Sequence, residues 1–196
     1  MGSRLERYLR GLPDGYDSYP AYVQKASMYR TFLARLGGHA PDESDLPREL
    51  TYLLRDPLPA SAWIPEAHAH ALLHAVCDLR FADEARFVDQ MLEVNRAILS
   101  SPLYRFLMIF ASPTQVVKGA ARSWGHVHRG VKLRVTLEGS GGKLRLAYPD
   151  HLLDELVTRC YATAFTAGLR LCGATDVNVE VCEVHPTLAV LEAGWR

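Results

Sequence analysis

The stretch His68-Ala69-His70-Ala71-Leu72-Leu73-His74 is the densest group of side chains in this sequence that could do chemistry. His70 and His74 lie four residues apart, so they share one face of a helix, and Glu66 falls four before His70 on that face. Such a pair can ligate zinc, or one member can serve as an axial haem ligand. The HExxH pattern of metalloproteases is absent because Ala71 follows His70. A third ligand would have to come from elsewhere, with His126 and His128 as the candidates. The competing reading, which the sequence favours, is a half-exposed helix face whose histidines bind nothing.

Trp124-Gly125-His126-Val127-His128-Arg129-Gly130 is the second cluster. If the chain is extended there, His126 and His128 point the same way. With Arg129 they could meet an anionic ligand at a junction between two halves of the protein. The plainer reading is a loop whose tryptophan plugs the core.

Nucleophilic catalysis has little support. No Gly-x-Ser-x-Gly is present, and Cys77, Cys160, Cys172 and Cys182 are scattered without CxxC spacing. Isolated cysteines in a chain without an export signal read as buried, reduced thiols. Gly139 to Gly142 joins two strands and lacks the Gly-Lys-Ser/Thr of a phosphate loop. Asp83-Glu84 and Asp154-Glu155 read as helix-start charges. No catalytic residue is assigned, and a metal is left open.

The elements that must position these residues divide the chain in two. Helical spacing and stop signals predict helices over 21–36, 47–54, 65–79, 84–99, 103–109 and from Ser112-Pro113 to Trp124. Trp63-Ile64-Pro65 reads as the entry to the histidine helix, with Pro65 at its first position. Beyond residue 125 the period changes. Val131, Leu133, Val135 and Leu137 alternate with Lys132, Arg134, Thr136 and Glu138, and Leu144, Leu146 and Tyr148 follow suit, which predicts strands over 132–137 and 143–148. Gly139 to Gly142 forms their hairpin, slightly longer than the tightest type. A broad apolar stripe predicts a helix over 151–171, and strands follow over 177–184 and 188–192. The fold class is α+β: a helical N-terminal half, about 1–125, then a β-β-α-β-β unit, about 126–196, within a single domain.

Lysine plus arginine equals aspartate plus glutamate at 22 each, which argues against a nucleic-acid partner or a polybasic membrane surface. The longest apolar run, Phe106 to Ala111, is too short to span a bilayer, and the charged N-terminus lacks the apolar core of a secretory signal. A cytoplasmic protein is expected.

The order Ser112-Pro113, Trp124, Gly130-Val131-Lys132-Leu133, Leu144-Arg145-Leu146, Gly168-Leu169, Gly173-Ala174 and Trp195 resembles an uncharacterised myxobacterial paralogous family of about this length. Trp63-Ile64-Pro65 is similar to a Trp-x-Pro before a helix there. That family carries no established activity, so the resemblance transfers no catalytic residue. The architecture also looks similar to the haem–nitric-oxide/oxygen (H-NOX) sensor domain and to the 4-vinyl-reductase-like (V4R) ligand-binding domain. The haem sensor carries Tyr-x-Ser-x-Arg gripping the haem propionates. The corresponding place here reads Tyr148-Pro149-Asp150-His151-Leu152, with the tyrosine matched and aspartate and leucine replacing serine and arginine. V4R domains of the metal-binding sort carry clustered cysteines, which this chain lacks.

Three functions follow as expectations. The first is a non-enzymatic sensory or regulatory module binding a small apolar molecule or a protein partner, with Trp63, His70, His74, Tyr104, Trp124, His128, Tyr148 and Phe165 as candidate ligand-binding residues. A cavity between the halves, lined by Trp63, Tyr104, Phe106, Trp124 and Phe165, would serve it. The second is a metal- or haem-dependent protein or enzyme using His70 and His74, with haem or zinc as the cofactor. The third is a homodimerising interaction domain that pairs through helix 84–99 or an edge strand.

Overall fold

A computed structural model describes residues 2–100 and 112–196. The helix expected over 103–109, with Tyr104 and Phe106, lies outside the described residues. The architecture is α+β, with a helical N-terminal half and two antiparallel sheets. Among the described residues no helix is long and apolar enough to cross a membrane.

Helix α1 (Arg4–Gly11) starts on a reciprocal cap, in which Ser3 and Glu6 each accept the other's backbone N–H. Arg4 then reaches Asp78 and Glu84, both at 3.0 Å, and so fastens α1 to the two longest helices of the N-terminal half. Those helices are α4 (Glu66–Arg80) and α5 (Glu84–Leu99), the latter capped by Asp83 as its sequence implies. Phe87, Met91 and Val94 of α5 are buried, as the single apolar face predicts. Helix α4 is buried almost all round, because Ala67, Ala69, Ala71 and Ala75 let neighbouring elements approach on every side. Its histidines are therefore inside rather than on a half-exposed face.

The segment expected as one helix over 21–36 is split. Val23–Lys25 forms strand β1 and only Ala26–Arg35 forms helix α2. Trp63–Pro65 is strand β2 and leads straight into the histidine helix, with Pro65 at the cap and not at the first helical position, and His128–Arg129 is strand β3. The three pair in the order β2-β1-β3, Gln24 lying between Ile64 and His128. Pro65 sits just before the helix, and the Glu66 N–H that opens α4 donates to the Tyr22 carbonyl at 2.9 Å. The helix expected over 47–54 shrinks to turns and a single turn of helix, α3 (Tyr52–Arg55). Helix α6 (Pro113–Ser123) has the Ser112 cap and first-position proline that the Ser-Pro pair implies.

The four-stranded sheet follows its period-two pattern closely. Its order is β4-β5-β7-β6, with β4 Lys132–Glu138, β5 Gly141–Ala147, β6 Asn178–His185 and β7 Leu188–Gly194. Leu144, Leu146, Ala189 and Leu191 face inward and are fully buried. Glu138 pairs with Gly141, so the loop is the tight two-residue kind and not a longer one, with Gly139 at a φ of 56°. Helix α7 (Glu155–Leu171) covers the inner face. It begins four residues later than the stripe suggests: His151 takes a left-handed φ of 57°, and Asp154 caps by accepting the Val157 N–H. Cys77 and Cys160 are buried as expected, whereas Cys172 is partly exposed and Cys182 is exposed. Cys182 lies outward by alternation with Val179 and Val181 and is the extra residue of a bulge in β6, after which Glu183 also faces out.

Candidate functional site

The site lies where α4, β3, α1 and α7 meet. Glu66, His70 and His128 are all at least 97% buried there. Glu66 stands at the first position of α4, and β3 brings His128 to it: Nδ1 of His128 lies 2.7 Å from Oε1 of Glu66. One turn along the helix, His70 Nε2 is 3.2 Å from Oε2 of Glu66, but the ring is skewed and makes no aligned hydrogen bond to that oxygen. Nε2 instead meets the Tyr161 hydroxyl at 3.3 Å, while Nδ1 lies 3.1 Å from the Leu152 carbonyl oxygen. A carbonyl oxygen only accepts, so Nδ1 carries the hydrogen in that contact. In that tautomer Nε2 accepts from the Tyr161 hydroxyl.

Burial alone would push the Glu66 carboxyl up, yet the His128 and His70 imidazoles outweigh it and bring it down to about 2. Burial pushes the Tyr8 and Tyr161 hydroxyls well above their usual range, so both stay as neutral donors. Tyr8 donates to the Leu152 carbonyl at 3.0 Å and stacks on His74 at 4.7 Å between centroids. His74 Nε2 sits 3.1 Å from Oδ2 of Asp154, off the line of a hydrogen bond, and Nδ1 has no partner. Burial raises Asp154, but the nearby His74 more than offsets this, leaving its carboxyl below the usual range.

Aromatic rings close the other side. Trp124 stacks on His128 at 4.2 Å, and its indole N–H donates to the Val131 carbonyl at 3.0 Å. Phe165 lies parallel to Trp124 at 6.5 Å, and Tyr161 tilts against both Trp124 and His128. Gly130, directly after β3, has a φ of 97°, and a Cβ there would come within 2.4 Å of the Tyr22 ring. Glycine is required at the turn that delivers His128.

His70, His74, His128, Trp124 and Phe165 are thus brought together, and Tyr104 is outside the described residues. Trp63 is elsewhere, with Lys25 Nζ and the Arg129 guanidinium each 4.0 Å from its ring. The Tyr148 hydroxyl donates to the His185 carbonyl at 2.8 Å. His126 is exposed, because Trp124–His126 forms a 3-10 turn and the alternation an extended chain would impose is lost. Tyr8, Tyr161 and Asp154 complete the cluster, and sequence reasoning did not select them. Nothing local marks Tyr8, whereas Tyr161 lay on the recognised stripe of α7 as a polar-tipped ring within a buried face.

No family model matches the chain, and no curated protein matches its sequence. Solved structures do match its fold. An oxygen-binding H-NOX domain related to soluble guanylate cyclases superposes with a TM-score of 0.61 at 8% identity, covering 88% of this chain and 95% of that one. The Fe(II) unliganded H-NOX protein from K. algicida gives 0.59 at 6% identity, with coverage of 88% and 96%. An S. oneidensis H-NOX protein gives 0.53 at 12%, again covering 88% and 96%. The fold is H-NOX-like.

That fold implies haem, and the residues present do not suit it in the way the tyrosine motif would. The Tyr148 hydroxyl is spent on a backbone carbonyl, Asp150 offers an acid where propionates need a donor or cation, and Leu152 is fully buried with its carbonyl holding Tyr8 and His70. His70 and His128 are engaged by protein groups, and Asp154 Oδ2 stands 3.1 Å from His74 Nε2 without an aligned hydrogen bond. Among the described residues no group of three or more His, Cys, Asp or Glu side chains could hold a metal ion.

Proposed function

We propose that this chain is a non-enzymatic sensory or regulatory module on an H-NOX-like scaffold, responding to a small apolar molecule or a protein partner without a haem group. One observation carries the reading: the buried junction between the halves is occupied by a carboxylate–imidazole cluster in which His128 and both ring nitrogens of His70 are engaged by protein groups. Glu66 binds β3 through His128, and His70 meets the turn before α7 through Leu152 and α7 itself through Tyr161. A ligand or partner that displaces one of these elements alters the contacts of the others. The two buried thiols give no competing chemistry, since burial pushes Cys77 up to about 11 and Cys160 higher still.

The test is an absorption spectrum and a native mass of protein produced with haem precursor in excess. The expected result is a mass without haem and no Soret band, with or without a bound apolar mass. A Soret band at one haem per chain, lost on His74→Ala, would overturn the reading and restore the haem-dependent one.

A further inference from the structure

The outer face of the four-stranded sheet is split by charge. Row by row across β4, β5, β7 and β6, one register line reads Arg134, Arg145, Val190, Glu183, and the next reads Thr136, Lys143, Glu192, Glu180. In these two rows cations occupy the β4–β5 side and anions the β7–β6 side, with Glu138 at the end of β4 the one acid on the cationic side, and all of the charged side chains in the two rows except the partly exposed Lys143 are exposed. Arg134 and Arg145 lie directly opposite one another. Neither has a carboxylate within ion-pair distance among the described residues, whereas Lys143 pairs with Glu192 at 2.9 Å. Like charges directly opposed across strands are unfavourable without an outside counter-charge.

We infer that this face is a self-complementary docking surface for a second copy of the chain. The charge split also fixes the symmetry. A two-fold axis parallel to the strands, running between β5 and β7, places Arg134 over the partner's Glu183, and the reciprocal contact follows by symmetry. An axis across the strands would instead set cation on cation. Three of the strands have seven residues each, so the face measures roughly 23 by 19 Å, about 450 Å² per copy. The total lies below the ~1,200 Å² of a standard interface, so the dimer is weak and held largely by charge.

Sedimentation velocity over a concentration series tests it, with reducing agent present because Cys182 is exposed. Wild type self-associates at about 50 mM salt, and association weakens at least tenfold at about 500 mM, where screening is nearly complete. Arg134→Glu and Glu183→Arg each leave a folded monomer, both positions being exposed. An equimolar mixture of these two variants regains the dimer, because every opposed pair is again of opposite sign. A wild type that stays monomeric at low salt overturns the proposal. So does a dimer indifferent to the swaps, or a mixture that fails to recover.

Discussion

The two sheets of this protein are built on opposite principles. The four-stranded sheet is long, built from two local hairpins joined through β5 and β7, and held by apolar packing, with its charges left outside. The three-stranded sheet has strands of two or three residues drawn from positions 23, 63 and 128, and it buries Gln24 and His128. The first kind supplies stability. The second places functional groups, because joining distant segments is how Glu66 meets His128.

The largest expected effect tests whether the small sheet is also structural. Glu66→Ala leaves two buried imidazoles without their carboxylate and should cost about 3–5 kcal/mol in urea unfolding. Leu191→Ala in the large sheet should cost about 2–5 kcal/mol by leaving a cavity. Similar totals conceal different causes, and pH separates them. Because Glu66 holds its proton more weakly folded than unfolded, its contribution is complete above about 4.5 and lost as pH falls towards about 2. The stability gap between wild type and Glu66→Gln should therefore close across that window, while the Leu191→Ala gap should persist. A Glu66→Gln gap that is flat with pH would show that the carboxylate's charge is not what matters.

Gly130→Ala comes next. Left-handed backbone and the Tyr22 ring both oppose a Cβ, so a loss of about 1–3 kcal/mol is expected, with quenching of Trp124 fluorescence altered as the His128 stack shifts. Asp154→Ala removes the α7 cap and the group facing His74, for about 1–2 kcal/mol in thermal unfolding. Arg129→Ala is the mildest, about 0.5–1 kcal/mol, since it removes one of two cations over Trp63 and leaves β3 pairing intact.

The same contrast explains what could be read from the sequence. Strands β4 to β7 and helices α5 and α7 declared themselves because each repeats one period over enough residues to be seen. Val23–Lys25, Trp63–Pro65 and His128–Arg129 are too short to show a period, and their partners are far away in the chain. Half of the site was visible as Glu66, His70 and His74 on one helical face. That these residues would be buried was not, because alanines flanking them carry little apolar signal while permitting close packing. Tyr8 and Tyr161 join the cluster only through the tertiary fold.

Hydrogen exchange of wild type and Glu66→Gln at neutral pH tests most directly the claim that Glu66 ties the halves together. Faster exchange is expected at Trp124–Val131 and at Glu155–Phe165 together, with β5 and β7 unchanged. A change confined to the first turns of α4 would contradict it, leaving Glu66 a local helix residue and not the link between the halves.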